Sequence, residues 1–142
     1  MKKISILAAV LLIVAISSTA LAANWVYIAT LEEAGYDVYV DKDSIRHGIH
    51  SAKCNITRND GFSAHIDLKD NQGSLIFLVW FWRENGKKHC KFLEVYDENG
   101  NSSPYESGFP DRGTEIAEND TETLMVFDYV ENNLRECKPR SE

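Results

Sequence analysis

Leu75-Ile76-Phe77-Leu78-Val79-Trp80-Phe81-Trp82 is an unbroken apolar run, rich in β-branched and aromatic residues, and its reading decides the fold. Asn85-Gly86 follows shortly after, the pair that two-residue hairpin turns favour, so the run is a buried strand entering a tight hairpin. Strand periodicity sets Leu75, Phe77, Val79 and Phe81 on one side and Ile76, Leu78, Trp80 and Trp82 on the other. Both sides need cover, from a further layer or from a partner chain.

Outward from that strand the same alternation recurs. Phe62 to Lys69 places Phe62, Ala64, Ile66 and Leu68 inward and Ser63, His65, Asp67 and Lys69 towards water. Asp70-Asn71-Gln72-Gly73 turns from it into the central strand, and Asn59-Asp60-Gly61 before it reads as another hairpin turn. Ahead of that turn lie strands at Asn24 to Leu31, Tyr36 to Val40 and Ile49 to Thr57. Asp41-Lys42-Asp43-Ser44 interrupts them with a turn capped by a side-chain oxygen. Lys87 to Tyr96 returns from Asn85-Gly86. Short connections throughout make an antiparallel meander of about six strands.

Past Asp97 the periodicity fails until Glu118, in a segment of Asn, Ser, Gly, Pro and acids that is long for a loop. Asn119 with Glu122 then resembles a capping box opening a helix to about Glu136. Leu124, Phe127, Val130, Leu134 and Cys137 fall on one face of that helix, within an arc of roughly 140°, and that face should lie on the sheet. The fold class is therefore α+β, a meander sheet with one carboxy-terminal helix.

The amino terminus stands apart. Lys2 and Lys3, the apolar run Ile4 to Ile16 and the small residues up to Ala22 have the three regions of a cleaved secretory signal. The run is shorter than the roughly 20 residues of a spanning helix. Residues 1–22 are read as the signal and 23–142 as a single domain, with no span in the mature chain. Without Lys2 and Lys3 the exported chain holds 13 basic against 22 acidic residues, a balance of −9, which speaks against nucleic acid as a partner. Export also permits a disulfide. Three cysteines allow three pairings. Cys90 with Cys137 is preferred, because Cys137 continues the sheet-facing stripe of the helix and Cys90 sits in the strand beside the most apolar one. Cys54 is left as a free thiol.

Trp25 soon after the signal, Tyr39-Val40-Asp41-Lys42-Asp43-Ser44-Ile45-Arg46, the Cys90 strand and the late Cys137 together resemble the surface-adhesin protein E family of small exported bacterial proteins. That resemblance implies an antiparallel sheet with a carboxy-terminal helix tied to it by a disulfide. It also implies adhesion to host proteins, as a homodimer. The family's lipid-anchored pattern has a cysteine at the mature amino terminus; this chain has Ala23 or Asn24 there, which makes the periplasm the default location beside the cell surface. Cys54 has no counterpart in the family pattern.

Constellations that invite chemistry have blander readings. Ser63, His65 and Asp67 share a strand face, but residues two apart on a strand lie about 6–7 Å apart, beyond a proton relay, so the polar face of an amphipathic strand is preferred. His47, His50, His65 and His89 are scattered, and neither a metal nor a cofactor is expected. Asp97-Glu98-Asn99-Gly100-Asn101 resembles the start of a calcium loop but lacks its closing acid, and a surface turn is preferred. Trp80 and Trp82 with Trp25 and Tyr27 are read as core before aromatic platform. Arg83, Lys87, Lys88 and Lys91 at the hairpin tip are the candidate binding patch for an acidic partner, against the reading of a solvated tip. The expectation is a non-enzymatic, adhesin-like protein-binding module of the envelope. A homodimer would account for the double-sided apolar strand. The alternative is a periplasmic inhibitor or chaperone-like factor that uses the segment from 97 to 118 as a plug.

Overall fold

The computed structural model describes residues 24–105 and 114–134. Strands β1 (Trp25–Leu31), β2 (Tyr36–Asp41), β3 (Arg46–Ser51), β4 (Ile56–Asp70), β5 (Gly73–Glu84), β6 (Lys87–Tyr96), β7 (Ser102–Pro104) and β8 (Thr114–Glu115) form one antiparallel sheet, followed by helix α1 (Thr121–Leu134). The order across the sheet is β1-β2-β4-β5-β6-β7; β3 shares an edge of β4 with β2, and β8 shares an edge of β6 with β7. The architecture is thus α+β, as the periodicities require.

β5 is the centre. Phe77, Val79 and Phe81 pack with Phe62, Ile66 and Leu68 of β4, Cys90 of β6, and Val126, Phe127 and Val130 of α1. Phe127 meets Phe62 at 5.1 Å and Phe81 at 5.8 Å, both edge-on, which is the favoured aromatic geometry. Asp120 caps the helix, its Oδ1 accepting from Thr123 N at 3.4 Å, so the cap sits one residue after Asn119. Asn85 and Gly86 have φ of 54° and 75°, the left-handed pair of the expected hairpin turn.

The Asp41–Ser44 segment is a structural device. Asp41 Oδ1 accepts from Asp43 N at 3.0 Å and from Asn24 N at 3.1 Å. Ser44 Oγ donates to Asp41 O at 2.7 Å and accepts from His65 N at 2.8 Å. A 3-10 turn at Lys42–Ser44 therefore bridges the gap along β4 between β2 and β3, while Ile45 is fully buried in the core.

Two expectations change. The strand expected over Ile49 to Thr57 is cut by a turn at 52–55, where Asn55 takes φ 52°. Asn59-Asp60-Gly61 is no hairpin but lies inside the 15-residue β4. There His47 pairs with Phe62 and Ile49 with Arg58, so Asn59–Gly61 bulges opposite Gly48 and the β3–β4 ribbon bends. Both glycines are left-handed, and a Cβ would stand 2.2 Å from Phe81 O at Gly61 and 2.2 Å from Arg58 O at Gly48. Only glycine lets the backbones approach this closely.

The bend carries the ribbon's end over the second face of β5 and β6. Ser51 Oγ donates to Glu94 Oε2, the Cys54 thiol to Leu93 O at 3.0 Å, and Lys53 Nζ to Ser102 O. Ile49, Trp80, Trp82 and Leu93 form a small core beneath it, with Cys54, Ile56 and Leu78 at its margin. The double-sided apolar strand is thus covered within one chain, and the reason given for a homodimer lapses.

Among the described residues no disulfide forms. Cys90 lies buried on the helix face and Cys54 half-buried on the ribbon face, so the sheet separates them. Cys137 lies outside the described residues, as do residues 1–22. Among the described residues no helix is long and apolar enough to cross a membrane.

Candidate functional site

The expected patch at the hairpin tip is largely neutralised. Arg83 makes two bonds of 2.8 Å to Glu131 of α1, Lys88 one of 2.8 Å to Asp128, and Lys87 reaches Glu115 of β8 at 3.4 Å. Arg83 and Lys88 also sit over the Phe127 ring, at 5.4 and 5.3 Å. Lys91 pairs with Trp80 in the ladder and therefore stands on the opposite face. Arg83 and Lys88 fasten the helix to the sheet, Lys87 ties down β8, and the four bases do not converge. The acids that answer them come from far along the chain, which the sequence alone does not reveal.

A different site is built where the ribbon bends. A groove of about 730 Å3 opens there, with Arg46, His47, Gly48, Ile49 and His50 of β3 and Thr57, Arg58 and Asn59 of β4 as its wall. Ser63, His65, Leu78, Glu94 and Tyr96 form its floor. Residues 12 apart or more in sequence meet because β4 doubles as floor and wall on either side of its bulge.

The floor is a set of buried polar groups. His65 Nε2 and Tyr96 OH lie 3.0 Å apart, with the rings edge-on at 5.2 Å. Burial holds the His65 imidazole below its ordinary value, against the raising pull of Asp41 and Glu94. Burial, then the Glu94 charge, pushes the Tyr96 hydroxyl up to about 12. At neutral pH the pair is an uncharged hydrogen bond. Ser63, buried at 5% exposure, adds a hydroxyl-bearing side chain to the floor. Beside the floor, Asp67 accepts from Ser74 Oγ at 3.0 Å through Oδ2, while its Oδ1 is buried without a partner. Burial pushes its carboxyl up to about 6, against the Ser74 bond and Lys69.

The wall is cationic. Arg46 is half-buried and its Nη1 donates to the carbonyls of Asp43 and Ile45, each at 2.8 Å, with no ion pair among the described residues. Arg58 lies 5.2 Å from the Trp80 ring centroid and pairs with Asp60 at 3.0 Å, both side chains about half exposed. His47 and His50 are exposed, and His50 Nδ1 lies 2.9 Å from Thr57 Oγ1. Of the lining residues only Glu94 is acidic, and it is buried with Ser51 on its Oε2. In a chain of net charge −7 this is a local reversal of sign.

Three histidines that looked scattered are thus neighbours in one groove. Among the described residues no group of three metal-ligating side chains converges. Ser63, His65 and Asp67 do share a face, but His65 bonds to Tyr96 and Asp67 to Ser74, so no relay links them. Trp80 and Trp82 stack at 4.2 Å inside the small core, and Tyr27, 53% exposed, packs on Tyr39 at 5.8 Å two strands away. They do not make one aromatic platform. Asp97 Oδ1 accepts from Asn99 N and Asn101 N, each at 2.9 Å, so that segment is a turn closed on itself. The signal for the groove was the pair Gly48 and Gly61, of which Gly61 was read as part of a hairpin turn.

In class, then, this is a curved antiparallel sheet protein with a cationic groove between its sheet and a folded-over ribbon. No protein-family model matches the chain, and neither a curated protein nor a solved structure matches it.

Proposed function

We propose that the protein is a non-enzymatic exported binding module of the bacterial envelope, adhesin-like in holding another protein, and related to the surface-adhesin protein E family. The observation that carries this reading is the groove. It is open and lined by unlike polar groups, and its size falls in the range of about 300–1,000 Å3 typical of ligand sites. Of its titratable floor groups, His65 and Tyr96 are bonded to each other and Glu94 accepts from Ser51 of the ribbon. Export by cleavage after Ala22 belongs to the same proposal, as does a Cys90–Cys137 bond. Cys90 lies on the face that α1 covers, and α1 runs to Leu134, close in sequence to Cys137.

The inhibitor alternative needs a projecting loop between 97 and 118. Its described parts are instead held to β6: Ser102–Pro104 and Thr114–Glu115 pair with it, and Tyr105 N and Ile116 N donate to Leu93 O and Lys88 O, each at 2.8 Å.

Fractionation with protease shaving tests the reading in cells that make the chain. Protein removed by external protease would favour the adhesin-like reading. Protein confined to the periplasm would favour the inhibitor. Peptide mapping of the oxidised mature chain is expected to join Cys90 to Cys137, and a bridge to Cys54 would contradict the topology.

A further inference from the structure

The geometry points to one occupant of this groove, an extended acidic peptide segment of another protein, added as a strand to the outer edge of β3. This rests on the binding reading above and names its ligand class.

The strand edge comes first. β1 covers β2 up to the Trp25–Asp41 pair, beside which Asn24 N meets Asp41 Oδ1 at 3.1 Å and Lys42 N meets Asn24 O at 2.9 Å. β3 continues the line of β2 along β4, so its outer edge prolongs the row that β1 occupies. Among the described residues that edge pairs with nothing, and β3 pairs only with β4. An unpaired edge is a template for an incoming strand, whose alternate side chains then fall into the neighbouring groove.

Charge selects the strand. Arg46, His47 and His50 lie on β3 itself, and Arg58 lies in the same wall on β4, paired with Ile49. The Arg46 guanidinium carries no ion pair among the described residues, and the Arg58–Asp60 pair is solvent-exposed and weakly held, so both are available to a carboxylate. Ser63, 5% exposed, lines the floor with its hydroxyl group. A basic peptide would meet like charge at Arg46 and Arg58.

The test uses the oxidised mature chain and three probes: an acetylated, amidated peptide of alternating glutamate and valine, its lysine-for-glutamate counterpart, and glutarate. The acidic peptide is expected to bind, to slow amide exchange along β3, and to weaken steeply with salt. The double variant Arg46→Gln, Arg58→Gln should bind it about tenfold or more weakly while keeping the amide spectrum of the folded chain. Should the variant unfold, protection of β3 amides in the wild-type complex still decides. Glutarate binding as tightly as the peptide would overturn strand addition in favour of a small-anion pocket. So would equal binding of the lysine peptide, or protection elsewhere than β3. If the acidic peptide fails while shaving shows surface display, this occupant falls and the binding reading stands.

Discussion

The helix side and the ribbon side of β5 bury similar residues under different covers. On the helix side α1 lays Val126, Phe127 and Val130 onto Phe81 and its neighbours, and ion pairs at Arg83 and Lys88 close the rim. Across the sheet the cover is a ribbon only two strands wide. It shelters Trp80, Trp82 and Leu93 and leaves the rest of that face to Ser63, His65, Asp67 and Glu94, partly buried and partly lining a groove. A complete apolar cover gives stability; an incomplete one concentrates polar groups where water is scarce, which is the condition for a binding site.

The comparison breaks first at its two hardest points. Phe127→Ala removes a fully buried ring from the helix side and is expected to cost about 4 kcal/mol in urea unfolding. Gly61→Ala attacks the ribbon's bend: a left-handed residue plus the contact with Phe81 O should cost about 3 kcal/mol and expose Trp80 and Trp82 to quencher. Gly86→Ala is the control, equally left-handed with φ +75° but with nothing within 4 Å, and should cost about 1 kcal/mol. Equal losses at Gly61 and Gly86 would mean that the close approach in the bend is absent.

Asp67 sharpens the contrast through pH. Its folded value of about 6 exceeds the ordinary 3.8, so between them the native state holds a proton that the unfolded state has lost. Stability should therefore fall as pH rises from about 4 to 6, by about 3 kcal/mol at most, and level off above. Asp67→Asn should remove that fall and be at least as stable as wild type at pH 7. The smallest effect belongs to the helix rim. A double-mutant cycle on Arg83 and Glu131, with side chains 48% and 32% exposed, should return about 0.5 kcal/mol.

Much of the sheet was legible because its rules are local. The alternation of Phe62 to Leu68, the two-sided run at β5 and the Asn85-Gly86 turn each follow from neighbouring residues. The ribbon was not, because Asn59-Asp60-Gly61 has the chemistry of a hairpin and only the pairing with Gly48 turns it into a bulge. The true reversal at 52–55 lacks glycine and relies on Asn55 for its positive φ. The site failed for the same reason. The tip lysines are obvious in sequence while their acids on α1 are distant, and Arg46, His50, Arg58 and His65 become one wall and floor only after β4 bends.

The covering of β5 by its own ribbon is the claim on which the groove depends. Nuclear Overhauser contacts between the Ile49 methyls and the Trp80 and Trp82 rings, recorded on the mature chain where light scattering shows a monomer, test it most directly. Strong cross-peaks, with the Trp80 indole N–H protected by its 3.0 Å bond to Asp60 O, are predicted. Absent cross-peaks together with a freely exchanging Trp80 indole would contradict it.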